Sequence, residues 1–184
     1  MQLLDTLRQT LPKSHMERLA MIDAHDFSLV RTKFARDMAE KGQPLSASKL
    51  DATILALKQY YMLPIVDSEN AHAISKDVDV VWHSHILFTR DYVTFCEKVT
   101  GGIMHHEPLL ESAGAEFDHV KNLYNYTLDI LHQLCKTDET LWPSLEQASP
   151  ESVIICVHFG TSVEHGYQVP SPLFRKDTRF QNYN

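Results

Sequence analysis

The stretch Asp77-Val-Asp79-Val-Val-Trp82-His83-Ser-His85-Ile-Leu-Phe88-Thr-Arg90-Asp-Tyr92, followed by Phe95, Cys96 and Val99, decides how this chain is read. Ser75 offers a helix N-cap, and Asp77 and Asp79 put negative charge into the first turn, where the helix dipole favours it. At about 100° per residue, Val78, Val81, Trp82, His85, Phe88, Tyr92, Cys96 and Val99 share one broad arc. The spacing therefore predicts a helix over 77–99 that buries this face, with Asp79, His83, Arg90 and Glu97 on its flank. His83 and His85 stand about 200° apart, so on a regular helix they cannot hold one ion.

On either side of this helix the pattern stays helical. Leu3, Leu4, Leu7 and Leu11 fall on one face before Pro12, and Ser14 to Glu17 has capping-box spacing. Asp26 can cap a helix carrying Phe27, Val30, Phe34 and Met38, which Gly42 closes. A further helix is predicted over about 46–62, stopped by Pro64, with 63–73 a connecting loop rich in turn formers. Residues 112–135 present Phe117, Val120, Leu123, Tyr124, Leu128, Leu131 and Leu134 as an apolar stripe. Beyond Trp142-Pro143 two readings compete: Ser149-Pro150-Glu151 starts a helix well, while Val153-Ile-Ile-Cys-Val157 is a β-branched run suited to a strand. Residues 166–184 read as an irregular tail. The fold class expected is all-α or mostly α, a single-domain bundle of five or more helices around the 77–99 helix. Residues 1–148 form its core domain and 149–184 a partly irregular C-terminal extension.

Composition bounds the function. The 184 residues are 43% hydrophobic and 22% charged, enough for one real core. Seventeen Lys and Arg against 24 Asp and Glu give a net charge of -7, which repels phosphate backbones and anionic membrane surfaces, so neither nucleic acid nor membrane is an expected partner. No apolar run approaches the roughly 18 residues of a membrane span, and the first eleven residues lack a signal-peptide core; a cytoplasmic location is the expectation. Cys96, Cys135 and Cys156 are scattered and odd in number, which fits reduced thiols better than a disulfide or zinc knuckle. No nucleotide or flavin motif is evident. Eleven histidines, however, are many for this length and raise the question of metal.

Asp79 and His83, four residues apart, lie on one helix face at a spacing that lets two side chains share an ion. The same spacing suits a carboxylate that merely orients an imidazole. His105-His106-Glu107 follows soon after and supplies further ligands, with Glu107 the candidate acid or base. Reach is a constraint: sixteen residues of straight helix from His83 to Val99 cover about 24 Å, and the six residues from Val99 to His105 return at most about 20 Å. The metal candidates are thus Asp79, His83, His105 and His106. His85, set among apolar neighbours, reads first as a core or supporting residue, and Trp82, Arg90 and Tyr92 as residues lining the site. Zinc or iron are the natural occupants of imidazole and carboxylate ligands, for metal-assisted hydrolysis or an iron-dependent oxidation if the site is catalytic. Two alternatives stand beside this. One is a non-catalytic interaction module, in which the histidine and tryptophan cluster is a structural polar network and an unidentified protein is the partner. The other is a pocket for a small anionic ligand built from His83, Arg90 and His106.

Asp79-Val-Val-Trp-His83-Ser-His85-Ile-Leu, Tyr92 a few residues on, and His105-His106-Glu-Pro108 together resemble the glycine-rich domain-containing protein family and its bacterial relatives. That pattern is Asp-x-x-Trp-His-x-His-(Ile/Met)-Leu followed by a His-His-x-Pro loop. Tyr60-Tyr61-Met62-Leu63, Thr127 and Trp142-Pro143 extend the likeness to about residues 26–143. Two departures are a Phe-Gly that relatives often carry where Leu134-Cys135 stands, and the glycine-rich tail, since this chain has only six glycines. The resemblance implies the helical core domain and groups Asp79, Trp82, His83, His85, His105 and His106. It carries no reaction.

Overall fold

A computed structural model describes residues 2–8, 11–108, 115–146 and 154–158. Among them are six α-helices and three short strands: α1 (Lys13–Ala24), α2 (Ser28–Glu40), α3 (Ala47–Val66), β1 (His72–Ser75), α4 (Lys76–Ile86), α5 (Thr89–Val99), β2 (Glu107–Pro108), α6 (Ala115–Leu134) and β3 (Ile154–His158). The chain is mostly helical, as its periodicity predicts. None of the described helices is long and apolar enough to cross a membrane.

The local signals act largely where the residues place them. Asp26 accepts the Ser28 N–H at the entry to α2, and Gly42 takes a φ of 74° just after that helix ends, a conformation that costs glycine little. Ser46 caps α3 by accepting the Lys49 N–H. The capping box expected at Ser14 is not used, because α1 starts one residue after Pro12 and Ser14 lies inside it.

Pro64 does not stop α3, which runs on to Val66. A proline inside a helix costs about 3 kcal/mol, but here it sits in the last turn and removes a single ladder bond. Continuing the helix buries Ile65 and Val66 at 1% and 0% exposure, and each such side chain contributes about 1.5–3 kcal/mol. Every residue from Leu55 to Val66 is buried, so α3 is the most enclosed helix of the bundle.

A larger correction concerns the 77–99 helix, which is two helices. The backbone leaves helical geometry at Phe88 (φ -87°, ψ 60°), with the Phe88 N–H closing a tight turn on the His85 carbonyl. Tyr92, Phe95, Cys96 and Val99 are buried on the turned α5, which packs against α1 as well as α4. The break also voids the reach arithmetic, since the chain reverses well before Val99.

The 63–73 loop and the ambiguous 153–157 run both contribute strands. β3 is the middle strand of a three-stranded antiparallel sheet ordered β1-β3-β2, pairing Ala73 with Val157 on one side and Glu107 with Val157 on the other. β1 runs directly into α4, so the sheet ties the start of α4 to the chain that follows α5. Cys96 and Cys135 are free and buried, and burial pushes their thiols up to about 11 and about 12. The irregular tail expected over 166–184 lies outside the described residues.

Candidate metal centre

α4 begins at Ser75, whose hydroxyl accepts the Val78 N–H and donates to the Leu141 carbonyl. That cap fixes which face of the first turn points inward, and Asp79 is fully buried there at 0% exposure. A carboxylate taken out of water needs compensating partners. Two imidazoles provide them: His83 Nε2, one turn along α4, lies 3.5 Å from Asp79 Oδ2, and His106 Nε2 lies 3.0 Å from Asp79 Oδ1. The two imidazole nitrogens are themselves 2.6 Å apart.

His106 is held from both sides in the chain. The Tyr92 hydroxyl donates to the carbonyl of Met104, which is buried. Immediately after His106, β2 pairs with β3. Before it, the Thr100 hydroxyl lies against the Cys96 and Gly102 carbonyls, and Gly101 turns the chain with a φ of 83°. The Trp82 ring packs on His106 with centroids 4.9 Å apart.

A second cluster occupies the other side of α4. His85 Nε2 and His25 Nε2 each lie 3.2 Å from Asp91 Oδ2. On a continuous helix His85 and Asp91 would be about 240° and 9 Å apart; the break at Phe88 brings them together. His85 is wholly buried, and its Nδ1 is 2.7 Å from the Tyr61 hydroxyl. Burial pushes the His85 imidazole down to about 4, against the pull of Asp91, so it is neutral at pH 7. Burial likewise raises Tyr61 well above the ordinary phenol value, leaving a neutral hydroxyl.

Of the residues singled out in the sequence, Asp79, His83 and His106 converge. His105 is exposed and stands outside this group. His85 belongs to the other cluster. Tyr92 is buried, with its ring 5.3 Å from His85 and its hydroxyl on the His106 loop, so it touches both regions. Arg90 is exposed, and its carbonyl accepts the Thr94 hydroxyl. The backbone of Glu107 forms β2, while the acid–base role considered for its side chain lies outside the described residues. Sequence reasoning missed His25 and Asp91. Asp91 could have been found from a helix start at Thr89; nothing in local spacing marks His25.

Ligand atoms on one tetrahedral ion at bond lengths of about 2.0–2.1 Å are about 3.3 Å apart. The two nitrogens are 2.6 Å apart, and each meets a different oxygen of the carboxylate, His106 Nε2 at 3.0 Å from Oδ1 and His83 Nε2 at 3.5 Å from Oδ2, separations that bracket that value. Hydrogen bonds alone fit them poorly. An imidazole nitrogen offers one in-plane position, a proton or a lone pair, yet His106 Nε2 faces both His83 Nε2 and Asp79 Oδ1. A cation among the three would accept a lone pair from each. Side-chain exposure rises from 1% at Asp79 to 18% at His106 and 51% at His83, so the cluster opens to solvent on one side.

No curated protein and no solved structure matches the chain. One family model does, over residues 17–140, a span that contains α4, α5 and all three residues of the first cluster. The chain therefore belongs to the UCP032817-like family.

Proposed function

We propose that this protein binds a divalent transition-metal ion, zinc or ferrous iron, through Asp79, His83 Nε2 and His106 Nε2. The observation that carries the reading is His106 Nε2 facing a carboxylate oxygen and a second imidazole nitrogen at once. Two imidazoles and one carboxylate form a ligand set that both ions accept, and three protein ligands leave coordination positions for water or substrate. Those positions would lie on the solvent side, toward His83. There the ion would supply Lewis acidity for metal-assisted hydrolysis or, as iron, an oxidation. The likeness to glycine-rich domain-containing proteins groups Asp79, Trp82, His83, His85, His105 and His106, and Asp79, His83 and His106 are the members of that group this reading uses.

Elemental analysis of untagged protein purified without chelator is the test. At least one equivalent of zinc or iron is expected, and Asp79→Ala and His83→Ala should each lower the content by one equivalent while far-ultraviolet dichroism stays helical. Metal far below stoichiometry, with a melting temperature that added zinc or iron does not move, would overturn the reading in favour of a structural polar network in a non-catalytic interaction module.

A further inference from the structure

We infer that His25, His85 and Asp91 form a second, separate site for a divalent transition-metal ion, at the junction of α1, α4 and α5. The three residues come from three elements: His25 caps the C-terminus of α1, His85 lies in the last turn of α4, and Asp91 lies in the first turn of α5. They present His25 Nε2, His85 Nε2 and Asp91 Oδ2, all within 4.8 Å of one another. Both nitrogen-to-oxygen separations are 3.2 Å, close to the roughly 3.3 Å expected between ligands on one tetrahedral ion.

The surroundings have what a bound ion requires. A metal-ligating imidazole uses its other nitrogen to hold a partner that fixes ring and tautomer. His85 Nδ1 has that partner in the Tyr61 hydroxyl at 2.7 Å. With the proton on Nδ1 donated to Tyr61, the Nε2 lone pair points toward His25 and Asp91. An aromatic shell packs the two rings: Phe95 lies 4.6 Å from His25 and 5.3 Å from His85, and Phe27 lies 4.6 and 5.3 Å from them. Two cavities border His25, one of about 210 Å³ lined also by Phe27, Arg31 and Asp51, and a larger one beside Asp91. Asp91 and His25 border an open cavity of about 340 Å³ that Asp26 and Lys98 also line, so an ion can enter from there and keep water on its free positions.

This site is independent of the one formed by Asp79, His83 and His106, because α4 turns His83 and His85 to opposite sides. Zinc titration of the metal-stripped full chain against a chromophoric chelator tests it. Wild-type protein should take up two equivalents, Asp91→Asn one, His83→Ala one, and the double variant none. His25→Gln, which fills similar space at a partly exposed position, should repeat the Asp91→Asn result. Zinc should also raise the melting temperature of His83→Ala and leave that of the double variant unchanged. If Asp91→Asn and His25→Gln keep the wild-type stoichiometry, the cluster is a hydrogen-bonded junction and the inference falls. A wild-type protein that takes one equivalent, lost in His83→Ala alone, overturns it equally. One equivalent lost in Asp91→Asn and kept in His83→Ala would uphold this site and refute the Asp79 site instead.

Discussion

The two sides of α4 carry the same three functional groups in opposite arrangements. In one cluster the carboxylate of Asp79 is buried and the imidazole of His83 is half exposed; in the other the imidazole of His85 is buried and the carboxylate of Asp91 is 46% exposed. Burial acts on whichever group is inside. An enclosed carboxylate draws positive charge or donors to itself, whereas an enclosed imidazole is held neutral. The comparison teaches that ligand identity alone does not set the character of such a cluster. Which member is withdrawn from water does.

The largest expected effect separates the clusters by packing. Phe95 contacts His25 and His85 but neither histidine of the Asp79 cluster, and Phe95→Ala should cost about 3–5 kcal/mol of stability in urea unfolding. Zinc bound through His83 should survive in the native fraction; its loss would mean that the clusters are coupled. Asp79→Asn keeps the shape and removes the charge, so zinc affinity at the first cluster should fall by at least the roughly 100-fold that loss of a supporting partner can cost, measured by chelator competition. Affinity at the second should not change. Tyr61→Phe is the converse: a loss of about 10–100-fold confined to the second cluster, with a stability penalty of about 1–3 kcal/mol for the buried nitrogen left without its partner.

The smallest effect extends the comparison to a buried imidazole with no carboxylate. His15 is 1% exposed, and neither ring nitrogen has a hydrogen-bond partner among the described residues. Burial, with Arg18 adding to it, lowers its affinity for a proton. A histidine with a depressed folded value binds its proton more readily when unfolded, so stability should fall as pH drops below the ordinary 6.5 toward the folded value. His15→Leu should make that part of the profile shallower, the remainder coming from His85, which burial pushes down to about 4. A second decline at lower pH should remain, because Asp23 and Asp67 sit below the ordinary 3.8. Burial alone would raise both, but hydrogen bonds from the Leu3 and Leu4 amides and Lys58, and from His72, Tyr126 and Asn70, outweigh it. Each therefore stabilises the fold above its unfolded value and loses that contribution as acid protonates it.

Much of this was legible in the residues, for a physical reason. Asp79 and His83 are four apart within one regular helix, so their common face follows from helix geometry alone. His106 was legible as a candidate but not as a partner of His83, because a straight helix through Leu87 and Phe88 puts the return out of reach. The signals against that straight helix were present, with Thr89 and Asp91 placed as at a helix start, but a continuous apolar arc through Phe88 masks them. The second cluster depends on that break and on His25, more than 50 residues earlier, so no local pattern could assemble it. β1 is four residues long and buried on both faces, so it lacks the alternation by which a half-exposed strand is recognised. The middle position of β3 follows from pairings that only the folded sheet supplies.

That middle position sets an order of events as the chain leaves the ribosome. Residues 25, 85 and 91 all lie upstream of β2, and their cluster can assemble while α6 is still being made. Asp79 and His83 also emerge early, but β2 reaches β1 only through β3, which follows α6 in the chain. Until β3 inserts, the loop carrying His106 has no sheet to hold it. Because closing such a distant pairing is slow relative to local helix formation, the Asp79 cluster should be completed after the His25 cluster.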